Sequence, residues 1–465
     1  MKFISTRGLA PDLGFCDSVL AGLASDGGLY LPQQWPQIPS KEIASFANLS
    51  FSEIAFAIIS RFVDNEIDEK TLQEMINASY ENFNHPSVTP LKEIESDHFV
   101  LELFHGPTLA FKDVAMQFLA RLIDDILVKR SRRATIIGAT SGDTGSAAIE
   151  AFKGRDNVDI FILHPLGRTS EIQRKQMTSV IEDNVFNIAI EGNFDDCQNI
   201  VKALFADEKF RQTTNLSGVN SINWGRILAQ ITYYFKAASD LGAPHKQIDF
   251  TVPTGNFGDI FAGFAAKKMG LPIRKLIIAT NENDILARTL KTGRYETNTV
   301  QATSSPSMDI QISSNFERLL FEALNRDGAK VRALMNSLKQ SGSFSLPKDA
   351  LDYIKQDFLA LSANQSAVDA TMASTLKKSN YLLDPHSAVA VNVAQALKDK
   401  HISMISLATA HPAKFPKAVE KATGQSPQLP DFLSDLLQRK EKMQILQNDV
   451  SEIKQYINQH TRVNK

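Results

Sequence analysis

From residue 98 onward, short runs of β-branched and aromatic residues alternate with turn residues and helical stretches, and no other feature restricts the fold so strongly. The runs fall at 99–103, 135–138, 159–163, 185–190, 249–252, 275–279 and 403–408. Most are followed by apolar residues at helical spacing. Strands that alternate with helices build parallel sheets, since a parallel neighbour is reached only through a crossover. Ligands of such folds gather at the carboxyl ends of the strands. The loops after the strands are therefore where function is sought.

The flanks read differently. Residues 48–83 have helical spacing with acidic residues on the outer face, and 26–39, rich in Gly and Pro, read as loop with short strands. Residues 325–378 read as a charged helical layer or insertion. Residues 430–465 show apolar positions at helical spacing opposite a charged face, which predicts a packing helix, a partner-binding helix being the alternative. With 465 residues, two or three packed units are expected rather than one core. No internal repeat or low-complexity tract interrupts them.

A net charge of −2 gives no electrostatic footprint for nucleic acid or an anionic membrane. Anion recognition must then be local. The two cysteines, Cys16 and Cys197, have no spacing suited to zinc and are expected to be reduced. The segment MKFISTRGLAPDLGF lacks the apolar stretch of a signal peptide, and no run reaches the roughly 20 apolar residues of a bilayer span. A cytoplasmic location is the expectation.

Four segments carry candidate chemistry. In Phe104-His105-Gly106-Pro107-Thr108-Leu109-Ala110-Phe111-Lys112-Asp113, Lys112 follows an apolar run and opens a helix. Burial and the positive helix end both disfavour an ammonium there, so the amine could attack a carbonyl. On this segment alone the alternative is a lysine whose stem lies along an apolar helix start. In Ala139-Thr140-Ser141-Gly142-Asp143-Thr144-Gly145-Ser146, glycines and hydroxyls at a helix start offer donors to a carboxylate or phosphate, or simply cap the helix.

Pro253-Thr254-Gly255-Asn256-Phe257-Gly258-Asp259 again joins strand to helix, and its glycines let backbone N–H groups converge on an anion. It is neither a Walker loop nor GxGxxG; a generic turn is the alternative. In Val219-Asn220-Ser221-Ile222-Asn223-Trp224-Gly225-Arg226, Arg226 could hold an oxyanion with help from Asn220 and Ser221, or stand at the surface of a helix start. One candidate nucleophilic lysine with three polar loops suits a phosphate-bearing cofactor and a carboxylate substrate.

These segments, with PSMDIQISSNFERLL, DPHSAVAV, LATAHPAKFP, FISTRG and GLASDGGLYLP, occur in the order seen in threonine synthases of the longer, bacterial and fungal type, which the chain resembles over nearly its whole length. The resemblance implies an α/β fold of the tryptophan synthase β-like kind (fold type II), with two α/β subdomains closing on pyridoxal 5′-phosphate (PLP). Its boundaries would be an N-terminal unit at 1–95, a catalytic region at 96–425 whose smaller subdomain spans about 130–220, and a C-terminal helical segment at 426–465.

It also implies the substrate O-phospho-L-homoserine, turned over with water to L-threonine and phosphate by a monomer or homodimer. Lys112 would be the Schiff-base lysine and would move protons at Cα and Cβ, with Phe111 beside the cofactor ring. Gly255, Asn256, Phe257 and Gly258 would hold the cofactor phosphate, and Thr409 would face the ring nitrogen. Asp143 would lie near the cofactor's 3′-oxygen; its ionisation depends on neighbours that chain order does not place. Ser141 and Thr144 would bind the substrate carboxylate, and Asn220, Ser221 and Arg226 its phosphate. A lyase acting on an unphosphorylated substrate would need Lys112 but not the last three. A phospholyase would need them all, and a non-catalytic PLP- or nucleotide-binding protein would not need Lys112.

Overall fold

The computed structural model describes residues 1–463. Two parallel sheets dominate it. The larger runs in the order Phe358–Ser362, Ile273–Thr280, Ile248–Pro253, Ser403–Ala408, His98–Glu102, Leu91–Glu95, and only the last pair is antiparallel. The smaller runs Gln444–Leu446, Val185–Ile190, Val158–Pro165, Ala134–Ala139, Leu216–Ser217, all parallel. All seven strands read from the sequence are present, within about two residues at each end.

Burial explains their legibility. Every residue of Val158–Pro165 is buried, as a strand covered on both faces requires, so its sequence is an almost continuous apolar run. Its one carboxylate, Asp159, is matched by Arg462, whose Nε and backbone N–H donate to it at 2.6 Å.

The C-terminal expectation is corrected. Residues 430–449 form short turns at Asp431–Leu433 and Leu436–Gln438 and the edge strand Gln444–Leu446, and only Val450–His460 is helix. Leu433 and Leu436 bury against Leu109 and Ile172, and Leu446 pairs beside Ile190, contacts that one continuous helix could not make together. The charged stretch 325–378 likewise holds two strands among its helices. Ser343–Ser345 pairs with Arg294–Glu296, and Phe358–Ser362 closes one edge of the large sheet.

The expected N-terminal helices are Phe51–Val63 and Glu69–Tyr80. Ser50 and Glu53 form a reciprocal capping box that starts the first of them. Its buried face, with Ile54, Ile58 and Phe62, packs on the long helix Trp224–Asp240. Phe3, Trp35 and Phe62 place their rings 5.7–6.0 Å from Trp224. The N-terminal unit thus fixes the start of the helix that carries Arg226. Among the described residues no helix is long and apolar enough to cross a membrane.

Candidate active site

The loops after strands His98–Glu102, Ala134–Ala139, Leu216–Ser217, Ile248–Pro253 and Ser403–Ala408 enclose a cavity of about 720 Å³. Phe111, Lys112, Ser141, Asp143, Thr144, Ser221, Arg226, Gly255, Asn256, Phe257, Gly258 and Thr409 all line it. Asn220 does not. It is exposed, and its carbonyl accepts from Asn223 N at 3.1 Å in the turn that opens the Arg226 helix.

Lys112 is the first residue of the helix Lys112–Lys129 and is buried. Backbone pairing sets it opposite Thr409. Phe111 N donates to Thr409 O at 2.9 Å, and His411 N to Leu109 O at 3.0 Å. The Lys112 Nζ lies 4.7 Å from the Phe111 ring centroid. Burial depresses the lysine's basicity; Asp143 opposes this, while Lys414 and Arg226 add to it. A free amine at this position is correspondingly more nucleophilic near neutral pH than a surface lysine.

Asp143 lies between two lysine side-chain nitrogens. Its Oδ2 is 3.6 Å from Lys112 Nζ, and its Oδ1 is 3.0 Å from Lys414 Nζ and accepts from Gln173 Nε2 at 2.8 Å. Burial pushes this carboxyl up, but Lys414, Lys112, Gln173 and His386 together outweigh it and hold it well below the usual carboxylate range. Asp143 is therefore ionised. The loop around it is set by Thr140, whose Oγ1 accepts from Gly142 N and Gly145 N, each at 2.9 Å. Gly142 has φ of 148°, a conformation that an L side chain rarely adopts.

Across the cavity, the helix Gly258–Lys268 points its N-terminus inward, with Gly255 and Asn256 ahead of it. A Cβ at Gly255 would meet Ser307 O at 2.9 Å, so only glycine lets the two backbones approach. Phe257 takes the left-handed region at φ 65°, and its ring packs 5.4 Å from Phe316 and 5.8 Å from Phe358. That packing offsets a backbone cost of roughly 1–2 kcal/mol.

Arg226 is buried, with a single hydrogen bond from Nη1 to Val219 O at 3.1 Å. Its Nε has no partner, and no carboxylate pairs with it among the described residues. Burial pushes its pKa down to about 10 despite Tyr233. One helical turn on, Gln230 presents an unpartnered Oε1, and Asp259 does the same with Oδ2. A guanidinium held so on a cavity wall is suited to an anionic ligand.

Several residues on or behind this wall were not singled out in the sequence: Lys414, Gln173, Ser307, His386, Gln230 and Asp259. Lys414 and His386 lie in segments quoted above, LATAHPAKFP and DPHSAVAV, but nothing local marks them as facing Asp143. Ser307 N donates to His386 Nε2 at 3.2 Å, and His386 Nδ1 bonds Asp384 Oδ2 at 2.8 Å.

Comparison with known proteins agrees with this geometry. The family described as "Threonine synthase N terminus" matches residues 2–80, "Pyridoxal-phosphate dependent enzyme" matches 84–405, and "Threonine synthase, C-terminal" matches 387–457. A threonine synthase of Pseudomonas aeruginosa is 51% identical over 99% of this chain and 98% of its own. The crystal structure of a PLP-bound threonine synthase from Brucella melitensis superposes with a TM-score of 0.98 at 57% identity, covering 99% of this chain and all 100% of that one. The yeast threonine synthase structure gives 0.94 at 42% identity, over 99% and 98% of the two chains. With family matches along nearly all its length and a cavity built around a buried lysine, the chain belongs to the threonine synthases, lyases that depend on pyridoxal phosphate.

Proposed function

We propose that this enzyme converts O-phospho-L-homoserine and water to L-threonine and inorganic phosphate, and that the residues around the cavity divide the work as follows. The observation that carries the reading is Arg226, a buried guanidinium without a counter-charge on the wall shared with Lys112. A phosphorylated substrate supplies that charge; an unphosphorylated one leaves it unmet.

The residues present fit pyridoxal phosphate. Lys112 offers an amine to its aldehyde, Phe111 an apolar flank, and Thr409 a neutral hydroxyl to its ring nitrogen. Gly255, Asn256, Phe257 and Gly258 form the cradle for its phosphate at the start of the helix Gly258–Lys268, and at 255 only glycine fits beside Ser307 O. When bound, the cofactor withdraws electrons from the substrate and acidifies its hydrogens at Cα and Cβ.

Lys112 Nζ takes the proton from Cα and later from Cβ. Ser141 and Thr144, at the start of the helix Asp143–Phe152, hold the substrate carboxylate. Arg226 and Ser221 hold the phosphate so that the Cγ–O bond is aligned to break, and they take up the charge that develops as it leaves. Asn220, outside the cavity, drops out of this set. Once the phosphate has left, one of the two protons taken returns at Cγ. Water then adds its hydroxyl at Cβ, its own proton passing to the freed phosphate and the second proton returning to Cα, and Lys112 reclaims its place as threonine departs. The two buried, unpaired cysteines suit a cytoplasmic enzyme, which we take to act as a monomer or homodimer.

The test incubates the PLP-loaded protein with O-phosphohomoserine and measures threonine and phosphate together. Equal yields of the two are expected. Phosphate accompanied by 2-oxobutyrate instead of threonine makes the enzyme a phospholyase and overturns the reading, as does release of neither product by protein with bound cofactor.

A further inference from the structure

We infer that Lys414 is a positioning residue for Lys112: its buried ammonium holds Asp143 as a carboxylate and offsets that carboxylate's charge at the Lys112 nitrogen. The inference rests on the assignment of Lys112 as the cofactor lysine. Lys414 does not line the cavity and has no exposed surface. Its Nζ lies 2.6 Å from Thr108 O, 2.9 Å from Gln176 Oε1 and 3.0 Å from Asp143 Oδ1. Three acceptor oxygens around one nitrogen call for three hydrogens, so this group is an ammonium.

The oxygens come from three elements. Thr108 belongs to the loop before Lys112, Gln176 to the helix Glu171–Thr178, and Asp143 to the start of the helix Asp143–Phe152. Gln176 Nε2 also donates to Thr108 O at 3.0 Å, and Gln173, on the same helix, donates to Asp143. Lys414 reaches them from the turn Pro412–Lys414, only a few residues past Thr409. One short segment therefore supplies both the hydroxyl on the cavity wall and the charge behind Asp143.

The electrostatic consequence has a definite sign. Asp143 alone, 3.6 Å from Lys112, would stabilise an ammonium there and keep the amine protonated. Lys414, sharing the same carboxylate, opposes that pull. The other charged and titratable groups around Lys112 are Arg226 and, more distantly, Asp259; His386 faces Asp143, and Asp113 and His411 face Lys414. None of these replaces Lys414 as a hydrogen-bonded partner of Asp143.

The test titrates the visible absorbance of the cofactor–lysine linkage in the holoenzyme. Relative to the parent protein, Lys414→Met should move its midpoint up by about one pH unit or more, and Asp143→Asn should move it down. The double variant should return close to the parent. Because Lys414 is off the cavity wall, kcat for Lys414→Met should fall about tenfold or more while KM changes little. A structural role alone would not produce opposite shifts that cancel. Unchanged midpoints, or shifts in the same direction, overturn the inference. Should Lys414→Met fail to fold, Lys414→Gln reads the same two outcomes. A band that persists in Lys112→Ala refutes the lysine assignment instead, so the two failures are distinguishable.

Discussion

Replacing Arg226 by methionine should make the protein more stable and nearly inactive. The guanidinium's pKa falls from 12.5 to about 10 on folding, chiefly through burial. At pH 7, below both values, the folded protein carries the whole of this cost, about 3 kcal/mol at roughly 1.4 kcal/mol per unit. Methionine fills a similar volume without charge. The change strands Val219 O, which now accepts from Nη1, at a cost of about 1 kcal/mol. The net gain of about 2 kcal/mol should raise the melting temperature by a few degrees. Losing a charged donor to the leaving phosphate should lower kcat/KM by roughly 10²–10³. Calorimetry of both PLP-loaded proteins, with and without inorganic phosphate, checks the reasoning. Phosphate at a hundred times its Kd should stabilise the parent by about 2.7 kcal/mol and leave the variant unmoved. A variant that melts below the parent, or equal stabilisation of both by phosphate, refutes the idea that this charge is held buried for an anion.

Asp259 offers a pH test. Burial pushes its carboxyl up to about 6, although Tyr233 and Tyr234 donate to Oδ1 at 2.5 and 2.9 Å. An acid whose pKa is raised on folding binds more protons folded than unfolded, so its contribution to stability falls as pH rises from about 4 to 6 and is level above. Asp259→Asn should therefore gain on the parent by up to about 3 kcal/mol between pH 4 and 7.5 in denaturant unfolding; a difference independent of pH contradicts the argument. Gly255→Ala, whose methyl would stand 2.9 Å from Ser307 O, should weaken PLP binding about tenfold or more, read by fluorescence titration. Unchanged affinity would show that the loop has room to spare.

What was legible in the sequence is what burial writes locally. Val158–Pro165 is buried along its whole length, so its apolar run announced it; Ile248–Pro253 is equally buried but alternates, with Asp249 and Thr251 set among its apolar residues. Phe358–Ser362 lies between charged helices at a sheet edge, with only Phe358 fully buried, and is a strand because Ile273–Thr280 pairs with it. Gln444–Leu446 buries one side chain, and its pairing with Val185–Ile190 breaks the helix that its spacing predicts. The polar loops were readable as candidates from the glycines and hydroxyls between strand and helix, a pattern that a capped helix start also produces. Asp143's ionisation was not readable, since Lys414, Gln173 and His386 reach it from distant parts of the chain.

The same contrast explains how the fold tolerates its own site. Arg226 and Gln230 lie on the helix Trp224–Asp240 and Asp259 on the helix Gly258–Lys268, and all three leave a polar atom without a partner. Each such atom costs on the order of 1–3 kcal/mol. The two helices pack together, and Trp224 at the start of the first is enclosed by Phe3, Trp35 and Phe62. The indole Nε1 also lacks a partner, so it is the enclosing apolar rings that offset part of the cost, at roughly 1.5–3 kcal/mol for each large apolar side chain. Because the enclosing rings come from residues 3–62, the N-terminal unit does more than cover a surface. It fixes the helix start that aims Arg226 into the cavity, so mutations in this unit should disturb phosphate binding before they disturb the attachment of the cofactor.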